Sequence, residues 1–204
     1  MTFSPKLAAA LFMPAAIGLL YQAVQPYPWP HRLLALALLL AIFEQAYMAR
    51  VDLRNIEVVG LRLGDPRLKP FRRVVIWTVA GQLVGFYAAA AGYLGWGMAT
   101  ILLSVIGFNL AATLRLDPAG PQPIQAAGWR SRLAVLSLDA IALTLALLWI
   151  AQRYQGGVAA GMFTITVLYA AGKLVTYTKT LWRPASAVHV AHAAQEHPQA
   201  PQQN

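Results

Sequence analysis

Apolar residues run along the chain in long blocks, separated by short clusters of prolines, glycines and charges. An α-helix needs roughly 20 mostly apolar residues to cross the hydrocarbon core of a bilayer. Six blocks approach that length, at about 7–24, 33–49, 74–92, 97–114, 133–152 and 158–177. The second is short, yet about 17 residues still suffice. The connectors alternate. PYPWPH, GWG and RYQGG are brief turns, whereas 50–73 and 115–132 are longer and polar. This alternation predicts an all-α fold, a polytopic integral membrane bundle of six transmembrane helices arranged as three antiparallel hairpins. The first block starts after MTFSPK and is not followed by a small-residue cleavage pattern. It is expected to be a retained span, kinked at Pro14.

Within the long connector, RVDLRNIEVVGLRLGDPRLKPFRR, residues Val51 and Leu53 and then Val59, Leu61 and Leu63 alternate with polar residues or glycine. Period two predicts a short strand pair or an in-plane segment in a basic cytoplasmic loop, 50–73. Gly64-Asp65-Pro66 is a turn signal. From Pro184 the sequence is rich in Ala, Gln and Pro and lacks the apolar mass to pack. The expected division is therefore a six-helix transmembrane domain over 1–183 and a disordered cytoplasmic tail over 184–204.

Composition agrees with the pattern. The 204 residues are 58% hydrophobic and 11% charged, against about 25% charged in an ordinary soluble domain. The net charge of +9 does not indicate nucleic acid, because the cations flank the apolar blocks and form no separate basic domain. Their placement sets an orientation. With both termini on one side, that side receives most of the lysines and arginines, and the other receives Arg32 and Arg153. Both termini are therefore expected to be cytoplasmic. Tryptophans favour the headgroup level. Trp29, Trp96 and Trp149 fall at the outer ends of spans, and Trp77, Trp129 and Trp182 at or near the inner ends.

Candidate chemistry lies in a few polar residues inside the spans. Glu44, Asn109 and Lys173 each precede a cation by six positions, which sets each roughly 9 Å inside the cytoplasmic end. Asp139 is expected at the same depth and Gln82 about one turn deeper. Lys173 shares a stripe with Thr166 and Tyr169, and Gln82 one with Thr78 and Gly85, so these faces suit helix–helix contact. Glu44, Gln82, Asn109, Asp139 and Lys173 are thus expected to form a ligand-binding or proton-linked layer, because an intramembrane ionisable group is costly unless it has a use. Asp139 and Lys173, on adjacent helices, can neutralise each other. Two carboxylates against one lysine is a layout compatible with proton uptake or cation binding.

Arg62, Arg67, Lys69, Arg72 and Arg73 are the expected contacts for anionic lipid headgroups or phosphate. The chain has no cysteine, which excludes disulfides and thiolate chemistry. No span holds a histidine, which argues against membrane haem, di-iron and zinc-protease sites. His189, His192 and His197 in the tail do not have a helical ligand spacing. No metal, cofactor or catalytic residue is expected. The expected partners are the bilayer, anionic headgroups and a membrane protein. A carrier or permease for a small solute or lipid is the leading function. A structural or assembly subunit of a larger complex comes second, and a lipid-modifying enzyme third.

Overall fold

A computed structural model of the chain describes residues 4–118, 120 and 122–181, with side chains as far as Lys173. The tail from Pro184, with its three histidines, lies outside the described residues, as does Trp182. The order is α1 (Pro5–Ala10), α2 (Met13–Val24), α3 (Trp29–Leu63), α4 (Leu68–Ala90), α5 (Leu94–Ala111), strands β1 (Leu114–Leu116) and β2 (Ile124–Ala126), a 3-10 turn (Trp129–Arg132), α6 (Leu133–Ile150) and α7 (Gln155–Leu181). The chain divides into two units, one through Val167 and one from Leu168.

Five helical segments are long and apolar enough to cross a membrane: Pro5–Val24, α3, α4, α5 and Trp129–Ile150. An integral membrane, all-α protein follows from this. The sixth expected span falls on α7, part of which lies beyond the described side chains.

From α2 to α5, consecutive helices run antiparallel, as their contacts show. Gln22 meets His31 between α2 and α3, and Gln45 meets Gln82 between α3 and α4. Between α4 and α5 the backbones nearly touch. A Cβ on Gly85 would lie 2.7 Å from the Gly97 carbonyl oxygen, and one on Gly97 2.5 Å from the Gly85 oxygen and 2.6 Å from the Ala89 nitrogen. Gly81 presses on Ser104 farther along the same seam. Small residues permit this approach, which supplies dispersion contact where lipid offers no hydrophobic drive. At the same end of α5 as Gly97, Gly95 abuts the side chains of Trp149 and Ile150. The core also includes Phe12 and Phe86, both buried, packed edge to face at 5.8 Å.

Pro14 has the expected effect. It cannot donate to the carbonyl one turn back, and the helix breaks between Ala10 and Met13. The Leu11 carbonyl then accepts a hydrogen bond from the Tyr87 hydroxyl at 3.0 Å.

Residues 50–63 differ from expectation. They do not form a loop or strand pair. They continue α3 as helix up to Gly64, which takes φ +59° and ends it. Ala49, Leu53, Ile56 and Val59 are buried at spacings of four, three and three, a helical stripe that period-two alternation concealed. Gly64-Asp65-Pro66 is the turn, as predicted. The Asp65 carboxylate holds it by accepting from the Arg67 backbone N–H at 2.8 Å and pairing with its guanidinium at 2.7 Å. The strand pair lies instead in the second long connector, with Leu114 opposite Ala126 and Leu116 opposite Ile124.

The α4–α5 seam tolerates no added carbon at its closest point. Gly97→Ala is expected to cost about 1–3 kcal/mol through overpacking, read as a lower thermal unfolding midpoint in detergent. Gly107→Ala, where an added Cβ meets nothing within 4 Å, should leave that midpoint unchanged.

Candidate functional site

Three of the five residues of the expected polar layer, Gln82, Asn109 and Asp139, take part in hydrogen-bonded pairs between neighbouring helices. Gln82 is 4% exposed, and its Nε2 donates to Gln45 Oε1 at 2.7 Å. Asn109 is 7% exposed, and its Nδ2 donates to Asp139 Oδ2 at 3.1 Å. The first pair ties α3 to α4 and the second ties α5 to α6. An amide that finds an amide across a helix contact satisfies one of its buried polar groups, so the Gln45–Gln82 pair acts as a lock. The Asn109–Asp139 pair differs chemically. Asn109 gives the half-buried carboxylate a hydrogen bond but no opposite charge.

Glu44 is half-buried, with Oε1 enclosed by protein. It precedes Gln45 by one residue, about 100° around the helix, and it is Gln45 that meets Gln82. Lys173 belongs to the second unit. Its ammonium lies over the Tyr169 ring, 5.4 Å from the centroid, a cation–π contact.

The five cations expected on lipid or phosphate separate into distinct places. Arg62 donates to the Pro118 carbonyl oxygen at 3.4 Å. Arg67 is engaged by Asp65. Lys69 and Arg72 line a cavity of about 540 Å³ between the start of α1, the last turns of α3 and the start of α4. Arg73 lines a shallower groove of about 320 Å³ with Trp77, Gly107 and Phe108. Neither cavity is lined by Glu44, Gln45, Gln82, Asn109 or Asp139.

The Arg67 side-chain hydrogen bond, with its backbone N–H and charge adding to it, holds the Asp65 carboxyl below the usual carboxylate range. A lowered folded-state value means that the stability contributed by the pair is present above the ordinary carboxylate pKa. It is lost only as pH falls through the lowered value.

Sequence reasoning overlooked one polar knot. Gln22, in the apolar run of α2, is 4% exposed. Its Nε2 donates to the Ala89 and Ala90 carbonyl oxygens at 2.8 and 2.9 Å. These belong to the last turn of α4, whose carbonyls have no partner within the helix. Carbonyls only accept, so the amide orientation is fixed and Gln22 Oε1 faces His31 Nε2 at 2.9 Å. The proton of that bond therefore sits on His31 Nε2. The Tyr27 ring lies against His31 at 4.4 Å between centroids. A second overlooked residue is Arg132. Its Nη2 donates to the Leu114 carbonyl oxygen at 3.2 Å, and its guanidinium lies 5.2 Å from the Phe108 centroid.

A scan of protein-family models and searches of curated proteins and solved structures found no match to the chain.

Gln22→Glu keeps the shape of the knot but removes both donors and aims a carboxylate oxygen at two carbonyls. It is expected to lower the thermal unfolding midpoint in detergent, corresponding to about 1–3 kcal/mol for the lost donors, with Ala89 still served by the Gly92 N–H. His31→Gln, which retains a donor, should cost less than His31→Leu in the same assay.

Proposed function

We propose that the protein is a carrier or permease-type membrane protein for a small solute or lipid, and that Asp139, hydrogen-bonded by Asn109, is its proton-linked or cation-linked group. The observation that carries this reading is the nature of the contact. Among the described residues, the hydrogen-bond partner of this intramembrane carboxylate is a neutral amide, a contact that leaves its charge to a proton or a cationic ligand. Such groups are costly in a bilayer, and transport pathways and proton relays are where they are usually found. Glu44, half-buried on α3, is the second carboxylate of this reading. Gln82 is reassigned to holding α3 against α4.

The topology that goes with the proposal has six spans with both termini cytoplasmic. Its support is the bias of cations toward one set of connectors. In this frame, α7 supplies the sixth span.

Assembly into a larger membrane complex is the second reading, favoured by α6. In its most apolar 18-residue stretch 11% of residues are buried, against 33–39% in the other four candidate spans. A helix that carries a carboxylate and hides so little of its surface suits a partner helix as well as a transport pathway.

Asp139→Asn tests both. In the full-length protein reconstituted into vesicles, a carrier linked through Asp139 loses proton-coupled flux. The loss is expected to be at least tenfold, with the remaining activity insensitive to pH. Under the assembly reading, the same variant leaves ion and proton permeability unchanged and instead weakens co-purification of a membrane partner.

A further inference from the structure

The cavity at the α3–α4 turn has an uncommon lining. Its floor is apolar, formed by Leu53, Ile56 and Leu68. Three charged side chains reach it from two helices: Glu57 on α3, and Lys69 and Arg72 on α4. Among the described residues, these three make no hydrogen bond or ion pair with protein. Asp65 also lines the cavity, but its carboxylate is held by Arg67. The site therefore presents two uncommitted cations, one uncommitted carboxylate and an apolar floor. Its volume of about 540 Å³ is within the range of sites that enclose small molecules, about 300–1,000 Å³.

Depth narrows the ligand. The 35 residues of α3 measure about 52 Å, longer than the ~40–45 Å of a bilayer with its headgroups. One end of this helix must therefore reach a headgroup layer and pass through it. Leu53, Ile56 and Glu57 lie near that end, and the exposed Leu61 follows them. A purely basic patch would take any anionic lipid. Here a carboxylate on α3 lines the same cavity as two cations on α4, so the matching headgroup carries both signs.

We propose that this cavity binds the headgroup of an aminophospholipid. The phosphate is held by Lys69 and Arg72, the primary ammonium by Glu57, and the start of the lipid's apolar part rests on Leu53, Ile56 and Leu68. An ammonium donates N–H bonds to a carboxylate, whereas a quaternary choline has no N–H to donate. This selects phosphatidylethanolamine over phosphatidylcholine. Glu57 disfavours a headgroup that brings only negative charge. The inference does not depend on the role of Asp139.

Native mass spectrometry of the delipidated full-length protein in detergent tests it. Phosphatidylethanolamine, phosphatidylcholine and phosphatidylglycerol are titrated in parallel, with inorganic phosphate as a separate arm. The expected result is preferential retention of phosphatidylethanolamine, by about fivefold, the scale of one partly exposed charge pair. Glu57→Gln should abolish that preference while leaving phosphatidylcholine binding unchanged. Lys69→Gln combined with Arg72→Gln should weaken all three lipids. Phosphatidylglycerol retained as well as or better than phosphatidylethanolamine would overturn the proposal, leaving a general anionic-lipid patch. So would Glu57→Gln without effect on the preference, or binding of inorganic phosphate alone.

Discussion

In the hydrocarbon core of a membrane, a backbone carbonyl or amide that loses its helical partner has no water to replace it. Each break and each end of a spanning helix therefore needs a donor from within the protein. The chain meets this demand in several ways. At Gly92, φ +99° lets Gly92 and Tyr93 turn their N–H groups back onto Ala89 and Ala88, the Schellman arrangement. The Ala89 and Ala90 carbonyls receive the Gln22 amide. At the break made by Pro14, Tyr87 serves Leu11. Two of these solutions bind the first helical segment to α4. Satisfying backbone groups is thus also what brings α2 beside α4, where Phe12 and Phe86 pack.

The polar side chains inside the bundle divide according to whether a contact completes them. Gln45 and Gln82 are neutral, and their bond removes a cost without creating a new need. Asn109 and Asp139 are bonded too, but a carboxylate needs charge balance as well as a donor, and an amide provides only the donor. Position strengthens the contrast. Gln82 lies on the tightly packed α4 seam, between the Thr78 turn and Gly85. Asp139 lies on α6, the least buried of the five candidate spans. The same hydrogen-bond geometry therefore serves as a lock in one place and as an incomplete site in the other.

What the sequence made legible was set by the physics that dominates each segment. Apolar block length alone marks the five helices long and apolar enough to cross a membrane, because bilayer thickness leaves little freedom. Pro14 and Gly64 were readable because their backbone restrictions hold in any context. Residues 50–63 were misread because Val51, Leu53, Val59, Leu61 and Leu63 alternate locally, while the burial that decides the matter follows Leu53, Ile56 and Val59. Membership of the polar layer was inferred from depth, and depth follows from counting residues. Pairing depends on rotation about the helix and on which neighbour is adjacent, so Gln45 was missed beside the more conspicuous Glu44. Gln22 gave no signal of its own. Its role exists only because the last turn of α4 ends within reach.

The continuation of α3 beyond the expected span also changes what the cations between 50 and 73 can do. In an irregular loop they would act as an averaged positive field, holding the loop near anionic lipids at about 1 kcal/mol each. On the ends of two packed helices they start from fixed backbone positions. Arg62 is spent on a backbone carbonyl, and Arg67 on Asp65 inside its own turn. Arg73 lines the groove beside Trp77, while Lys69, Arg72 and Glu57 line one cavity with an apolar floor. Once charges are fixed in this way, net charge ceases to predict the partner. The arrangement of signs does so instead, and around this cavity both signs remain uncommitted.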